Sequence, residues 1–476
     1  MKLKKLLALS TAAVMAFSLV GCGNTNNSNA DSNASGTEKE DAGTETSDAG
    51  ELSYANIELG KTYSDLTATI KFLTHRTDMQ ADDYSGENWD AYIAEFNKLY
   101  PNITVEVEGV TNYADDALLR LQGGDWGDIM MIPAVDKADL STYFLSYGDL
   151  DSMNKEINYA NTWEYDKQVY GVPSTANAQG IVYNKKVFTD AGVTETPKTP
   201  EEFIAALQAI KDKTDATPLY TNYAAEWTMG AWDAYVGGTA TGQSDYMNQE
   251  LLHTAAPFSD PGDGTHAYNV YKILYDAVAD GLTEDDYTTT DWEGCKAMIN
   301  NGQIGTMVLG SWAVSQMKAA GDNADDIAYM PFPITVDGKQ YASAGADYSY
   351  GINVDSSTEN QEAAMCFIKF MTEKSGFSYN EGGLPVAADQ TDLPDVYADF
   401  SEVTFVTDDP AVSGEEDLLN TLNSDSELMV NASGNQKIMS IVEHAANNDE
   451  SFDDIMQEWN DAWSSAQEAN SVEVTK

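Results

Sequence analysis

The chain has 476 residues, which suits two domains or two large lobes. Its 78 Asp and Glu stand against 25 Lys and Arg, a net charge of −53. That balance argues against nucleic acid, whose phosphates would be repelled, and against attachment to anionic lipid through basic patches.

The chain opens with Lys2, Lys4 and Lys5 ahead of an apolar stretch from Leu6 to Val20. A charged start, an apolar run and then small residues is the order of an export signal. The run is too short for a membrane span. It ends in Leu19-Val20-Gly21-Cys22, which resembles a bacterial lipobox. The expectation is a signal peptide over 1–22, with Cys22 lipidated and left as the new N-terminus. An ordinary secretory signal with an incidental cysteine is the alternative, and either one exports the chain. Residues 23–55 are Asn, Ser, Thr, Gly, Ala, Asp and Glu with little that is apolar. Such a segment cannot bury a core and reads as a disordered tether, with a reach of roughly 30 Å.

Order is expected from near Leu66. Thr67 to Leu73 reads as a strand, and Trp89, Ile93, Phe96 and Tyr100 recur at helical spacing before Pro101. Ile103, Val105 and Val107 alternate with polar residues, and Ile129 to Ile132 fits a short buried strand. Strand–helix–strand order at this spacing predicts βαβ units and a largely parallel sheet. A second set begins at Gly180-Ile181-Val182-Tyr183. Thr199-Pro200-Glu201-Glu202 reads as a capping box with Pro at the first helical position. Ile304 to Leu309 is a further strand, followed by Gly310-Ser311-Trp312 and a helix from Ala313. Ala364, Phe367, Ile368 and Met371 mark one more apolar helix face, and Phe452, Ile455, Met456, Trp459 and Trp463 another. Trp89, Trp459 and Trp463 therefore read as core. Cys295 and Cys366 read as small core hydrophobes rather than a disulfide.

Several of these segments carry a resemblance. They are Phe96-Asn97-Lys98-Leu99-Tyr100-Pro101 before Ile103-Thr104-Val105, and Gly127-Asp128-Ile129, where Pro-Asp is usual. Tyr170-Gly171-Val172-Pro173, Tyr183-Asn184-Lys185 and Thr199-Pro200-Glu201-Glu202-Phe203 follow. The last is Gly302 to Met307 leading into Gly310-Ser311-Trp312-Ala313. In this order, after a lipobox, the chain resembles the extracellular solute-binding proteins of ABC importers, in the carbohydrate-binding family that includes maltose-binding protein. The resemblance implies an α/β fold of two lobes, joined by crossing strands near Pro173–Tyr183 and Ala344–Asn353, with a ligand cleft between them. The lobes are expected over 56–176 with 346–385 and over 177–345 with 386–476.

Sugar rings need flat aromatic platforms, and their hydroxyls need Asp, Asn, Glu or Arg. The chain has 9 Trp and 26 Tyr. Trp312 ends a strand and opens a helix, where open α/β folds place ligands, and it matches a family position that stacks on sugar. Trp227 matches a second such position, and Trp232 lies close to it. Asn177 falls on the first crossing strand, with Asp347, Tyr348 and Tyr350 beside the second. His75, Arg76 and Asp78 follow the first strand, and the resemblance implies polar contacts there from Arg76 and Asp78. Asp136 and Tyr113 follow other strands, and Asn380 and Glu381 precede a Gly382-Gly383 turn. For each of these, packing or a solvated loop is the bland alternative.

The function implied is capture of a carbohydrate, in particular an oligosaccharide, and its delivery to the permease of the importer. The protein is expected to be a monomer that meets the membrane only through Cys22, on the outer face of a Gram-positive cytoplasmic membrane, with no cofactor, metal or nucleic acid. A cationic solute such as a polyamine is the alternative ligand, since carboxylates and aromatic faces hold amines. A surface glycoside hydrolase is a further alternative, requiring paired carboxylates across a cleft. No Gly-x-Ser-x-Gly or His-Glu-x-x-His motif occurs, and His75, His253, His266 and His444 lack metal spacing.

Overall fold

The computed structural model describes residues 52–81, 84, 86–431 and 435–476. The expected export signal, Cys22 and residues 23–51 of the expected tether lie outside the described residues. The fold begins earlier than Leu66, because Tyr54 is fully buried and its backbone N–H bonds the Tyr147 carbonyl at 2.8 Å. Composition hides this: Leu52, Tyr54 and Ile57 are too few to break a polar stretch, yet Tyr54 and Ile57 sit in the core of the first lobe.

Among the described residues, eleven strands build the two main sheets. They are β1 (Ala68–Thr74), β2 (Ile103–Gly109), β3 (Ile129–Met131), β4 (Val172–Pro173), β5 (Ala176–Asn184), β6 (Thr217–Leu219), β7 (Ile304–Gly310), β8 (Ile327–Pro331), β9 (Tyr341–Ala346), β10 (Ser349–Ile352) and β11 (Thr404–Val406).

The first sheet runs β2-β1-β3-β10-β4. β1 pairs in parallel with β2 and β3, as the βαβ spacing predicts, while β10 and β4 are antiparallel additions. Ile70 and Phe72 of β1 face a core shared with the helices Trp89–Phe96 and Thr358–Glu373. Asn88 caps the first of these helices by accepting from the Ala91 N–H at 3.0 Å. In the second sheet β11-β9-β5-β7-β6 are neighbours, and β8 also pairs with β5. β5 is antiparallel to β7, β8 and β9, so this sheet is mixed rather than largely parallel. The reason is connectivity: β5 arrives straight from the other lobe, not by way of a helix that would return the chain in parallel. One face packs against Pro200–Lys213, His266–Ala279, Gln436–Asn447 and Phe452–Ala469, with Trp463 fully buried. The other face packs against Trp292–Asn300 and Trp312–Ala319.

The capping box forms in part. Thr199 Oγ1 accepts from the Glu202 N–H at 3.3 Å, but Glu202 reaches the Lys198 N–H, at 2.8 Å, rather than that of the cap residue. Cys295 and Cys366 are free and buried, one in each lobe.

Two connections pass between the sheets side by side, β4 to β5 and β9 to β10. They bond to each other, Asp347 N–H to the Thr175 carbonyl at 2.9 Å and Ser174 N–H to the Tyr348 carbonyl at 3.0 Å. A third passage follows Glu381, where Leu384 N–H bonds the Ala176 carbonyl at 2.7 Å.

Candidate functional site

A cavity of about 310 Å³ opens where these connections meet the two lobes. Its first-lobe wall is His75 and Arg76, its floor Thr175, Asn177, Asp347, Tyr348 and Glu381, and its second-lobe wall Trp227, Trp312, Ser315 and Gln316. A larger cavity, about 490 Å³, runs past Lys137, Asn161, Gln179 and Asp408. No aromatic side chain lines it, so the smaller cavity is the one with platforms for a ring-shaped ligand.

Trp312 stands at the end of β7, the first residue of its helix. Its ring folds back over Gly310, where a Cβ would meet the Trp312 indole nitrogen at 2.6 Å. Glycine there is what lets the ring take this position. Trp227, 46% exposed, lies 5.8 Å from Trp312 between ring centroids. Trp292 completes a cluster at 5.0 Å from Trp227 and 5.8 Å from Trp312, with the Lys296 ammonium 4.8 Å over its ring. Large exposed apolar side chains carry a hydration cost that a stacked ligand relieves.

The floor is polar and connected. Asn177 donates to Asp347 Oδ2 at 2.8 Å and accepts from Ser311 Oγ at 3.2 Å. Asp347 Oδ1 accepts from the Tyr348 N–H at 2.7 Å. At the first-lobe wall, Arg76 binds Asp78 through Nε at 2.9 Å and Nη2 at 2.8 Å, and Glu381 through Nη1 at 2.8 Å. Tyr84 accepts from Arg76 at 2.7 Å and donates to Glu381 at 2.9 Å. Burial opposes ionisation of Asp78, but the bonds and charge of Arg76 outweigh it and hold the carboxyl below the usual range.

Of the candidates read from the sequence, the cavity brings together Trp312, Trp227, Asn177, Asp347, Tyr348, Arg76 and Glu381. Trp232 is in the core of the second lobe, edge-on to Phe332 at 6.2 Å, because the turn after Trp227 faces inward. Tyr350 is fully buried in the first lobe, its ring packed 5.7 Å from that of Phe72. Tyr113 lies one layer behind, its hydroxyl on the Met131 carbonyl at 2.6 Å and its ring edge-on to His75 and Tyr348. Asp78 supports Arg76 rather than lining the cavity. Asp136 caps the turn Lys137–Asp139 by accepting from the Ala138 N–H at 2.9 Å. Asn380 donates to Tyr92 at 3.1 Å, away from the walls.

The sequence reading did not select Thr175, Ser315, Gln316, Trp292 or His75. Ser315 and Gln316 follow Trp312 by three and four residues, so helical spacing put them on its face. Trp292 follows the cap residue Asp291, whose carboxylate accepts from the Glu293 and Gly294 N–H groups, and carries no such cue. Asp260 and Asp263 turn their carboxylates onto their own backbone at Gly262 and Thr265.

Two sheets bridged by crossing segments, with an aromatic and polar cavity between them, define a two-lobed solute-binding protein. Residues 82–376 match the family of bacterial extracellular solute-binding proteins, and the chain belongs to that family. A manno-oligosaccharide-specific solute-binding protein from Bifidobacterium animalis subsp. lactis, solved with mannotriose, is 57% identical over 88% of this chain and 99% of that one, at a TM-score of 0.83. An ABC-transporter binding protein from the same organism, solved with mannobiose, is 56% identical at the same coverage and TM-score. The multiple sugar-binding protein of Streptococcus mutans is 27% identical over 333 residues, 67% of this chain and 75% of that one. The family and these relatives are binding proteins, one of them of an ABC transporter, and the chain is a binding protein rather than an enzyme. The family places it outside the cytoplasm.

Proposed function

We propose that this chain captures a manno-oligosaccharide between its lobes and delivers it to the permease of an ABC importer. The carrying observation is the cavity that sets Trp227 and Trp312 opposite a polar floor of Asn177 and Asp347. The likeness to a manno-oligosaccharide-specific protein supports the sugar. Rings stack on the indoles while hydroxyls meet the amide and carboxylate. Contacts from both lobes favour the closed state, so ligand shifts the population toward it. The first lobe, expected over 56–176 with 346–385 and reaching back to Tyr54, meets the second, 177–345 with 386–476, at this floor, and the protein works as a monomer. Leu19-Val20-Gly21-Cys22 supports a lipid anchor on Cys22 at the outer face of a Gram-positive cytoplasmic membrane, with the polar segment after it as tether.

A thermal-shift screen tests the reading. Mannotriose at a hundred times its Kd is expected to stabilise the protein by about 2.7 kcal/mol. Trp312→Ala is expected to lose most of that shift while melting cooperatively. A shift with polyamines and with no sugar overturns the carbohydrate assignment, and release of reducing sugar from the ligand overturns the binding role.

A further inference from the structure

Arg76 is the obvious polar group of the first-lobe wall, yet its guanidinium is occupied by Asp78, Tyr84 and Glu381. Two carboxylates more than offset its single positive charge, so it has little left for a ligand. The neighbouring His75 differs. Its ring lines the same cavity, stacks on Tyr348 with centroids 4.4 Å apart and meets Tyr113 at 5.9 Å. Its Nδ1 is buried and, among the described residues, has no hydrogen-bond partner.

A buried bare acceptor is better tolerated than a buried bare N–H. A proton on Nδ1, whether in the other tautomer or in the imidazolium, would create such an N–H. Nε2 is then the protonated nitrogen. We propose that neutral His75 is the residue through which the first lobe reads its ligand, donating Nε2–H to a sugar hydroxyl while Nδ1 stays bare. The inference rests on the carbohydrate reading of the cavity. An ammonium ligand has no lone pair to accept this bond, whereas a hydroxyl does. The groups facing the ring are Arg76 and Asp78 on its own loop, Asp347 and Tyr348 on the crossing segment, and Tyr113 behind. Burial lowers the imidazole pKa and Arg76 adds to this. Asp347 and Asp78 offset part of it, and the result, about 4, leaves the ring neutral at pH 7.

Titration calorimetry of the full chain with mannotriose tests the assignment. His75→Phe keeps the stacking surface and is expected to bind about tenfold more weakly. His75→Gln, whose amide nitrogen replaces Nε2, is expected to recover most of the affinity. His75→Asn, which replaces Nδ1, is not. Circular dichroism melts check that each variant folds. Equal binding by wild type and His75→Phe, or better rescue by Asn than by Gln, overturns the proposal. Nitrogen-15 spectra of the sugar-free protein at pH 7 are expected to report a neutral ring protonated at Nε2. An imidazolium or an Nδ1–H tautomer also overturns it. That spectrum decides the point even if wild type binds no sugar, an outcome that would strike the functional reading instead.

Discussion

Single residues here do work that their type alone does not announce. Arg76 and His75 are adjacent at the end of β1, yet one is enclosed by carboxylates and the other carries an unpaired nitrogen. The depressed pKa of His75 has a consequence for stability. Between pH 6.5 and about 4 the unfolded chain binds a proton that the folded chain refuses. Stability contributed at neutral pH is therefore lost as the pH falls through that window, by at most about 3 kcal/mol. Asp408, pushed by burial up to about 6, acts with the opposite sign, since its folded state holds the proton that the unfolded state releases above 3.8. Urea unfolding of wild type and His75→Gln at pH 4.5 and 7 separates the two. The variant is expected to lose less stability on acidification, and an equal loss would refute the neutral imidazole. None of this was legible in the sequence, where the loop after β1 offered His75, Arg76 and Asp78 without their neighbours.

At the scale of elements, periodicity and caps located the strands and helices well. β1, β2, β3 and β7 formed where alternation or an apolar run placed them, and Thr199 opened its helix. Periodicity could not tell which way a strand runs. β5 lies antiparallel to three partners because it is fed from the hinge. It also crosses beneath Tyr329, where a Cβ at Gly180 would meet the Met330 carbonyl at 2.6 Å and the Tyr329 ring at 2.9 Å. Gly180→Ala is therefore expected to destabilise the fold by about 1–3 kcal/mol, read as a lower urea midpoint. A neutral result would mean that β8 yields more readily than its pairing suggests.

Across the whole molecule, the connections at Ser174–Thr175 and Asp347–Tyr348 are short and bonded to each other. They can flex as one hinge while each lobe keeps its own core. Ligand is accordingly expected to reduce the radius of gyration by small-angle scattering, with no change in secondary structure by circular dichroism. Trp312→Ala should show little contraction at the same sugar concentration. A sugar that binds tightly without contraction would count against lobe closure.

By itself the sequence determined the class: an acidic chain, two α/β lobes, and an aromatic at the strand end that becomes Trp312. These follow from local patterns of polarity, spacing and turn chemistry, and from the family resemblance that those patterns carry. Tertiary structure decided the site. Trp227 and Trp232 are five residues apart, and only packing sends the first to the cavity and the second to the core. Trp292 joins Trp227 and Trp312 from a third segment, and Asn177 meets Asp347 across 170 residues. Such meetings depend on how sheets and helices are stacked, which no local pattern encodes.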